Sequence, residues 1–116
     1  MSAGTFWHNR RCSKSRTALA LLHARGIEPV LVHYLDAPPD AAELRRVIRL
    51  LGIAPRALLR RGEDAYSELG LEDGSRDDDA IVAAMAAHPR LIERPVYIRG
   101  RRAVIGRPPE RVLEIV

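Results

Sequence analysis

The residues best suited to chemistry surround Cys12, which is the only cysteine in the chain. It follows a short apolar segment at 5–7 and precedes a pattern typical of a helix. A thiol in the first turn of a helix faces unpaired backbone N–H groups and the positive end of the helix dipole, and both favour the thiolate. His8 lies four residues before Cys12, and basic side chains flank it at Arg11, Lys14 and Arg16. The segment therefore predicts a reactive cysteine that meets an anion.

The elements on either side of Cys12 predict how the thiol is held. The segment 5–7 predicts a first strand, and a helix follows until Gly26, a residue suited to a left-handed helix end. Residues 28–34 predict a second strand, because they are rich in β-branched and aromatic side chains. A strand, a helix and a strand of these lengths form a right-handed unit with parallel strands, in which ligands bind beyond the carboxyl ends of the strands. Cys12 is predicted to lie at that end.

The middle of the chain, from about 39 to 90, predicts several short helices. Asp40 and Glu43 are placed as a helix start, and apolar residues then recur at helical spacing until Gly52. Shorter helices follow, and the acidic run 77–79 suits the start of a later one. We interpret the region as a helical insertion on one side of the sheet and not as a separate domain.

Two more strands and a helix complete the predicted fold. Pro95 precedes a predicted hairpin with strands at 96–99 and 102–105, separated by a turn at Gly100. A last α-helix, with proline in its first turn, follows. A βαβ unit followed by a ββα unit is the pattern of the thioredoxin-like α/β fold. We therefore predict a four-stranded mixed sheet and a single domain over 1–116.

Length, composition and charge exclude several classes of protein. The 116 residues suffice for one modest core, and 47% hydrophobic with 29% charged residues is ordinary for a globular domain. The net charge of +4 does not indicate nucleic-acid binding, because the arginines are dispersed and alternate with acidic residues. No apolar run approaches the roughly 20 residues that cross a bilayer, and the first residues lack the pattern of a secretory signal. We expect a cytoplasmic protein without nucleic-acid or membrane partners and without an internal disulfide or a metal site.

Five segments of the chain share residue types and spacing with one known family. They are His8-Asn9-x-x-Cys12-x-x-Ser15-Arg16, Tyr34-Leu35-x-x-Pro38-Pro39, Arg56-Ala57-Leu58-Leu59-Arg60, His88-Pro89-x-Leu91-Ile92-x-Arg94-Pro95 and Gly106-Arg107-Pro108. In this order, and across essentially the whole chain, they resemble the glutaredoxin-coupled arsenate reductase family. The resemblance implies a thioredoxin-like fold with a helical insertion and a cis peptide bond between Arg94 and Pro95.

The same resemblance implies an enzyme that reduces arsenate to arsenite with no bound cofactor. Cys12 is implied as the nucleophile, and we hypothesise that His8 lowers its pKa and that Ser15 donates a hydrogen bond to the thiolate. Three arginines are implied to hold the oxyanion: Arg60, Arg94 and Arg107. Glutathione is implied as co-substrate and glutaredoxin as protein partner, because the chain has no second cysteine. We expect a monomer.

Two other functions stay open at this stage. A monothiol oxidoreductase would form a mixed disulfide with glutathione without reducing arsenate. A protein similar to the Spx-type regulators would bind RNA polymerase, although those regulators use a Cys-x-x-Cys switch that this chain lacks. From the residues alone, His8 is equally well explained as a structural hydrogen-bond partner, Arg60 as a solvated charge at a helix end, and Arg107 as a cover for the final helix. The chain also departs from the family at Arg10, where relatives often have proline, and this adds charge beside Cys12.

Overall fold

The computed structural model describes residues 3–116, which divide into two compact units. The first unit contains the described residues up to Ala37 together with Arg94–Val116, and the second contains Pro38–Glu93. The predicted helical insertion, about 39–90, falls inside the second unit. The interpretation of the chain as one domain stays a prediction.

The first unit is built on a four-stranded sheet, as predicted. Its strands are β1 (Thr5–Trp7), β2 (Val30–Val32), β3 (Val96–Arg99) and β4 (Arg102–Ile105). Their order is β2-β1-β3-β4, with β1 parallel to β2 and antiparallel to β3, and β3 antiparallel to β4. Trp7 pairs with Val96, so the carboxyl end of β1 meets the amino end of β3. Residues that follow β1 and residues that precede β3 therefore share one end of the sheet.

Helix α1 (Ser13–Ala24) connects β1 to β2 and packs against the sheet's core side and the last helical segment. The chain turns out of the helix at Gly26, whose φ of 74° lies in the left-handed region that glycine adopts without strain. Burial of apolar side chains from the helix, three strands and the last segment forms the core of this unit: Phe6, Ala18, Leu22, Tyr97, Val104, Val112 and Ile115.

Two predicted elements of the first unit differ in the structure. The second strand, predicted over 28–34, is limited to Val30–Val32 because its partner β1 offers three residues for pairing. The last helix was predicted as α but is a 3₁₀ helix, Pro109–Ile115. Its hydrogen bonding begins with the N–H of Arg111 and the carbonyl of Pro108, three residues apart. A 3₁₀ turn closes its first bond one residue earlier than an α turn, which suits a short segment that begins with two prolines.

The second unit is helical. It contains α2 (Ala41–Leu51), α3 (Asp64–Glu68), α4 (Asp78–Ala87) and two 3₁₀ helices, Pro55–Leu58 and Pro89–Leu91. Asp40 and Asp77 cap their helices as predicted. The Oδ1 atom of each accepts a hydrogen bond at 2.8 Å from the backbone N–H three residues later in the chain. His88, the residue directly after α4, is exposed. Within residues 3–116, none of the helices combines the length and apolar character needed to cross a membrane.

A pair of short backbone contacts fixes the position of Arg60 within the second unit. Leu59 and Ile92 form an isolated antiparallel bridge, and both side chains are buried. The N–H of Arg60 donates to the carbonyl of Leu91 at 2.7 Å. The guanidinium of Arg56 holds the neighbouring loop by donating to backbone carbonyls, including that of Asp73 at 3.1 Å. The segment that carries Arg60 is therefore anchored on both sides.

Candidate functional site

Cys12 occupies the N-cap position of α1, directly after the loop that leaves β1. Its backbone is extended, with φ −97° and ψ 120°, and its N–H donates to the carbonyl of Asn9 at 3.0 Å. The side chain is partly exposed. This position turns the sulfur toward the first N–H groups of the helix, which have no partner within the helix itself. The thiol is thus within reach of solvent and next to the positive end of α1.

Arg94 brings a buried positive charge to the same sulfur. Only 9% of this residue is exposed, and its guanidinium acts on Cys12 through both its charge and a hydrogen bond. The antiparallel pairing of β1 and β3 accounts for this contact between residues distant in sequence, because Arg94 precedes β3 at the end of the sheet where β1 finishes. The peptide bond between Arg94 and Pro95 is cis, as the family resemblance implied.

The ionisation of Cys12 reflects opposing influences. Burial raises the pKa of the thiol, whereas the backbone N–H of Ser15, the charge of Arg94 and the backbone N–H of Lys14 lower it. The lowering influences prevail, so the pKa of Cys12 lies below the ordinary value for a cysteine. A larger fraction of the side chain is therefore thiolate near neutral pH, which is the nucleophilic form.

Arg107 lies beside Arg94. Its Nε donates to the backbone carbonyl of Arg94 at 2.9 Å, and its side chain is half-buried. Gly106 makes this approach possible, because a Cβ at that position would lie 2.8 Å from Cγ of Pro95. The peptide bond between Arg107 and Pro108 is also cis, which was not predicted from the sequence. The first unit therefore brings together Cys12 and two of the three predicted anion-holding arginines.

Arg60, the third predicted arginine, lies in the second unit, and its role at the oxyanion stays a prediction. Its Nη1 forms an ion pair with Oε1 of Glu63 at 2.6 Å. The two side chains are 33% and 22% exposed, so the pair is only partly hydrated. This partner was not predicted from the sequence, because a turn and not a helix brings the two side chains together.

His8 and Ser15 form a buried polar pair beneath the loop that carries Cys12. Nδ1 of His8 lies 2.7 Å from Oγ of Ser15, which also accepts a hydrogen bond from the N–H of Asn9 at 3.1 Å. Burial, followed by the charges of His33, Arg10 and Arg16, lowers the pKa of His8, which favours the neutral imidazole near neutral pH. The hydroxyl of Ser15 thus links the end of β1 to α1, while its backbone N–H acts on Cys12. The catalytic roles assigned to His8 and Ser15 stay predictions.

Replacing Ser15 with alanine is expected to lower the free energy of unfolding by about 1–3 kcal/mol, because the N–H of Asn9 and Nδ1 of His8 lose a buried partner. Ser13→Ala makes the same chemical change at an exposed position of the same helical turn and should alter stability by less than about 0.5 kcal/mol. Urea unfolding of the two variants and the wild type measures the difference. Equal unfolding midpoints for Ser15→Ala and Ser13→Ala would contradict the structural role of the hydroxyl.

The site offers no cluster suited to a metal ion. Among residues 3–116, no three His, Cys, Asp or Glu side chains are grouped closely enough to act together as ligands. What the arrangement can do is hold an anion against arginine guanidinium groups while a thiolate attacks it. The geometry thus fits nucleophilic chemistry on an oxyanion.

Comparisons with known proteins place the chain among relatives of similar length. The sequence profile of the ArsC family matches residues 7–115. The arsenate reductase of Neisseria meningitidis serogroup A is 48% identical over 107 residues, covering 91% of this chain and 92% of that protein. YfgD of Escherichia coli strain K12, an uncharacterized protein, is 50% identical over 111 residues, covering 95% of this chain and 93% of that protein.

A solved structure supports the same relationship. The arsenate reductase from Vibrio cholerae matches with a TM-score of 0.95 and 47% sequence identity, covering 99% of this chain and 100% of that one. Together with the observed strand order, this similarity confirms the predicted thioredoxin-like α/β fold.

Proposed function

This chain belongs to the ArsC family, and we propose that it reduces arsenate to arsenite with Cys12 as its only nucleophile. The observation that carries the proposal is the thiol of Cys12 held at a helix N-terminus against the buried guanidinium of Arg94. This pairing suits a nucleophile whose target is a negatively charged group. Tetrahedral oxyanions of similar charge would satisfy the same guanidinium groups. The choice of arsenate among them therefore rests on the relatives, which are named arsenate reductases.

The first chemical step joins sulfur to arsenic. The thiolate of Cys12 attacks arsenate, an S–As bond forms, and one arsenate oxygen leaves as water after taking up protons. We propose that Arg94 neutralises the charge of the oxyanion and that Arg107, whose Nε donates to the carbonyl of Arg94, assists it. We propose that Arg60 takes part as well, in which case its guanidinium exchanges the carboxylate of Glu63 for the substrate.

The second step needs an external thiol, because the chain contains one cysteine. A glutathione thiolate attacks the sulfur of Cys12, the S–As bond breaks, and its electron pair leaves with arsenic, which departs as arsenite. Cys12 is left in a mixed disulfide with glutathione. Glutaredoxin then takes the glutathionyl group and returns Cys12 as a thiolate, so two thiols supply the two electrons of each turnover. Glutathione thus acts as co-substrate, and the reducing conditions that this cycle requires favour a cytoplasmic location.

Reconstitution of the reaction tests this proposal. Purified protein supplied with arsenate, glutathione, glutaredoxin and glutathione reductase with NADPH is expected to produce arsenite continuously. Omitting glutathione should stop production, and omitting glutaredoxin should reduce it to the rate at which free glutathione clears the mixed disulfide. Arsenite is quantified by chromatography coupled to elemental mass spectrometry.

The contrary outcome has a specific form. If Cys12 becomes glutathionylated but arsenite stays at the background of a reaction without protein, arsenate reduction is excluded and the monothiol oxidoreductase alternative is favoured. An undiminished rate of production with glutaredoxin omitted would reject the proposed protein partner and leave the reduction itself in place.

A further inference from the structure

Three exposed cations with no acidic partner lie within two residues of Cys12 along the chain. Arg10 and Arg11 precede it, Lys14 follows it in the first turn of α1, and all three are exposed. Within residues 3–116, no carboxylate lies within ion-pair distance of these three side chains, and the first turn of α1 holds no acidic residue. Other exposed arginines, such as Arg45 and Arg46, do pair with acidic side chains. The charge beside Cys12 is therefore left available to an external anion.

The loop that presents these cations is held in place by its own hydrogen bonds. Nη1 of Arg16 donates to the carbonyl of Arg10 at 2.8 Å, and the N–H of Arg11 donates to Oδ1 of Asn9 at 3.0 Å. The positive charge also extends inward, since Arg10 and Arg16 both lower the pKa of buried His8. The cations thus occupy a fixed stretch of backbone on both sides of the nucleophile.

We propose that Arg11 and Lys14 attract the carboxylates of an anionic low-molecular-weight thiol, so that the adduct on Cys12 is resolved faster by carboxylate-bearing thiols than by neutral ones. The identification of this thiol as the second substrate rests on the proposed function. The attraction itself does not, because it concerns any thiolate that approaches the sulfur of Cys12. Two cations near the path of a carboxylate are expected to raise the association rate by about 3- to 10-fold at low ionic strength.

A mixed disulfide of Cys12 with 2-thiopyridine isolates this step from arsenate chemistry. An attacking thiolate RS⁻ forms a new S–S bond with the sulfur of Cys12 and breaks the bond to the pyridyl sulfur. The electron pair of that bond leaves with 2-thiopyridine, which takes up a proton and absorbs in the near ultraviolet. One disulfide replaces another, so no oxidant or reductant is needed. The rate of absorbance increase gives the rate constant for each thiol.

The test compares glutathione, which carries two carboxylates, with neutral 2-mercaptoethanol on three proteins. These are the wild type, Arg11→Gln/Lys14→Gln, and a control, Arg101→Gln/Arg102→Gln, in which two exposed cations are also removed. The control residues lie at the turn between β3 and β4, beside the amino end of β1 and thus at the end of the sheet opposite Cys12. Glutamine retains the backbone N–H of residue 14, which acts on Cys12.

The ratio of the glutathione rate to the 2-mercaptoethanol rate is expected to fall about 3- to 10-fold in Arg11→Gln/Lys14→Gln and to stay within about twofold in the control. The difference in this ratio between the wild type and Arg11→Gln/Lys14→Gln should vanish in about 1 M salt, where the screening length is about 3 Å. An unchanged ratio in Arg11→Gln/Lys14→Gln would overturn the proposal, even if both rates fell by the same factor. Because no arsenate is present, failure here and failure of arsenite production are separate results.

Discussion

Replacing Cys12 with serine is expected to abolish arsenite production, with a loss of at least about 1,000-fold in kcat. A serine hydroxyl is almost wholly protonated near neutral pH, so the nucleophile of the first step disappears. The loss also has a second cause. Even an ester formed through oxygen could not pass to a disulfide with glutathione, which leaves the electrons no route to arsenic.

The measurement is arsenite formation in the reconstituted system, with Ser13→Ala as a matched control in the same helical turn. That control changes an exposed neighbour of Cys12 and should retain nearly full activity. Circular dichroism establishes that both variants are folded. Arsenite production by Cys12→Ser above about one hundredth of the wild-type rate would mean that Cys12 is not the nucleophile.

The second large effect is expected from Arg94→Gln, which should lower kcat/KM for arsenate by about 10²–10³-fold. Glutamine removes the charge that acts on the sulfur of Cys12 while filling part of the buried volume. The pKa of the Cys12 thiol is then expected to rise toward the ordinary cysteine value of about 8.5. Arg94→Lys retains a positive charge without the planar fork of donors, so we expect a smaller rise in pKa but a substantial loss of turnover.

The pH dependence of Cys12 alkylation by iodoacetamide measures the thiol pKa in each variant. In the wild type the midpoint should lie below that of a free cysteine. The midpoint should then rise in the order wild type, Arg94→Lys and Arg94→Gln. The same lowered pKa means that the thiolate stabilises the folded state, a contribution fully present above the unfolded-state pKa and lost as pH falls through the folded-state pKa. Identical alkylation midpoints in wild type and Arg94→Gln would refute the influence of Arg94 on the thiol.

Local sequence patterns predicted the elements around Cys12 well, for physical reasons. Side-chain periodicity and glycine placement are local properties, so β1, α1, the hairpin and the caps at Asp40 and Asp77 follow from neighbouring residues. The extent of β2 does not, because the length of a strand depends on a partner elsewhere in the chain. The final segment was predicted as α but forms a 3₁₀ helix, and the periodicity of its apolar residues did not distinguish the two.

The composition of the site was harder to predict than its location. Cys12 and its helix N-terminus are adjacent in sequence, and that part followed directly from residue types. The contact between Cys12 and Arg94 depends on the antiparallel pairing of β1 with β3, which no local pattern specifies. The family resemblance pointed to Arg94 in advance. A structural hydrogen bond of His8 was one of the alternatives, but its partner Ser15 was not predicted. The bond of Ser15 to Asn9 and the ion pair of Glu63 with Arg60 also depend on side-chain packing and were not predicted.

The N-cap position of Cys12 implies a conflict between what stabilises this chain and what keeps it reactive. Serine, threonine, aspartate or asparagine at an N-cap contributes about 1 kcal/mol through a side-chain hydrogen bond to the helix, and the sulfur of Cys12 is a weaker acceptor for the same backbone N–H groups. Selection for folding alone would therefore favour replacing the cysteine, and only selection for chemistry retains it. Lineages that lose the substrate should drift toward a better cap at this position, so the residue found there records whether a descendant still uses the reaction.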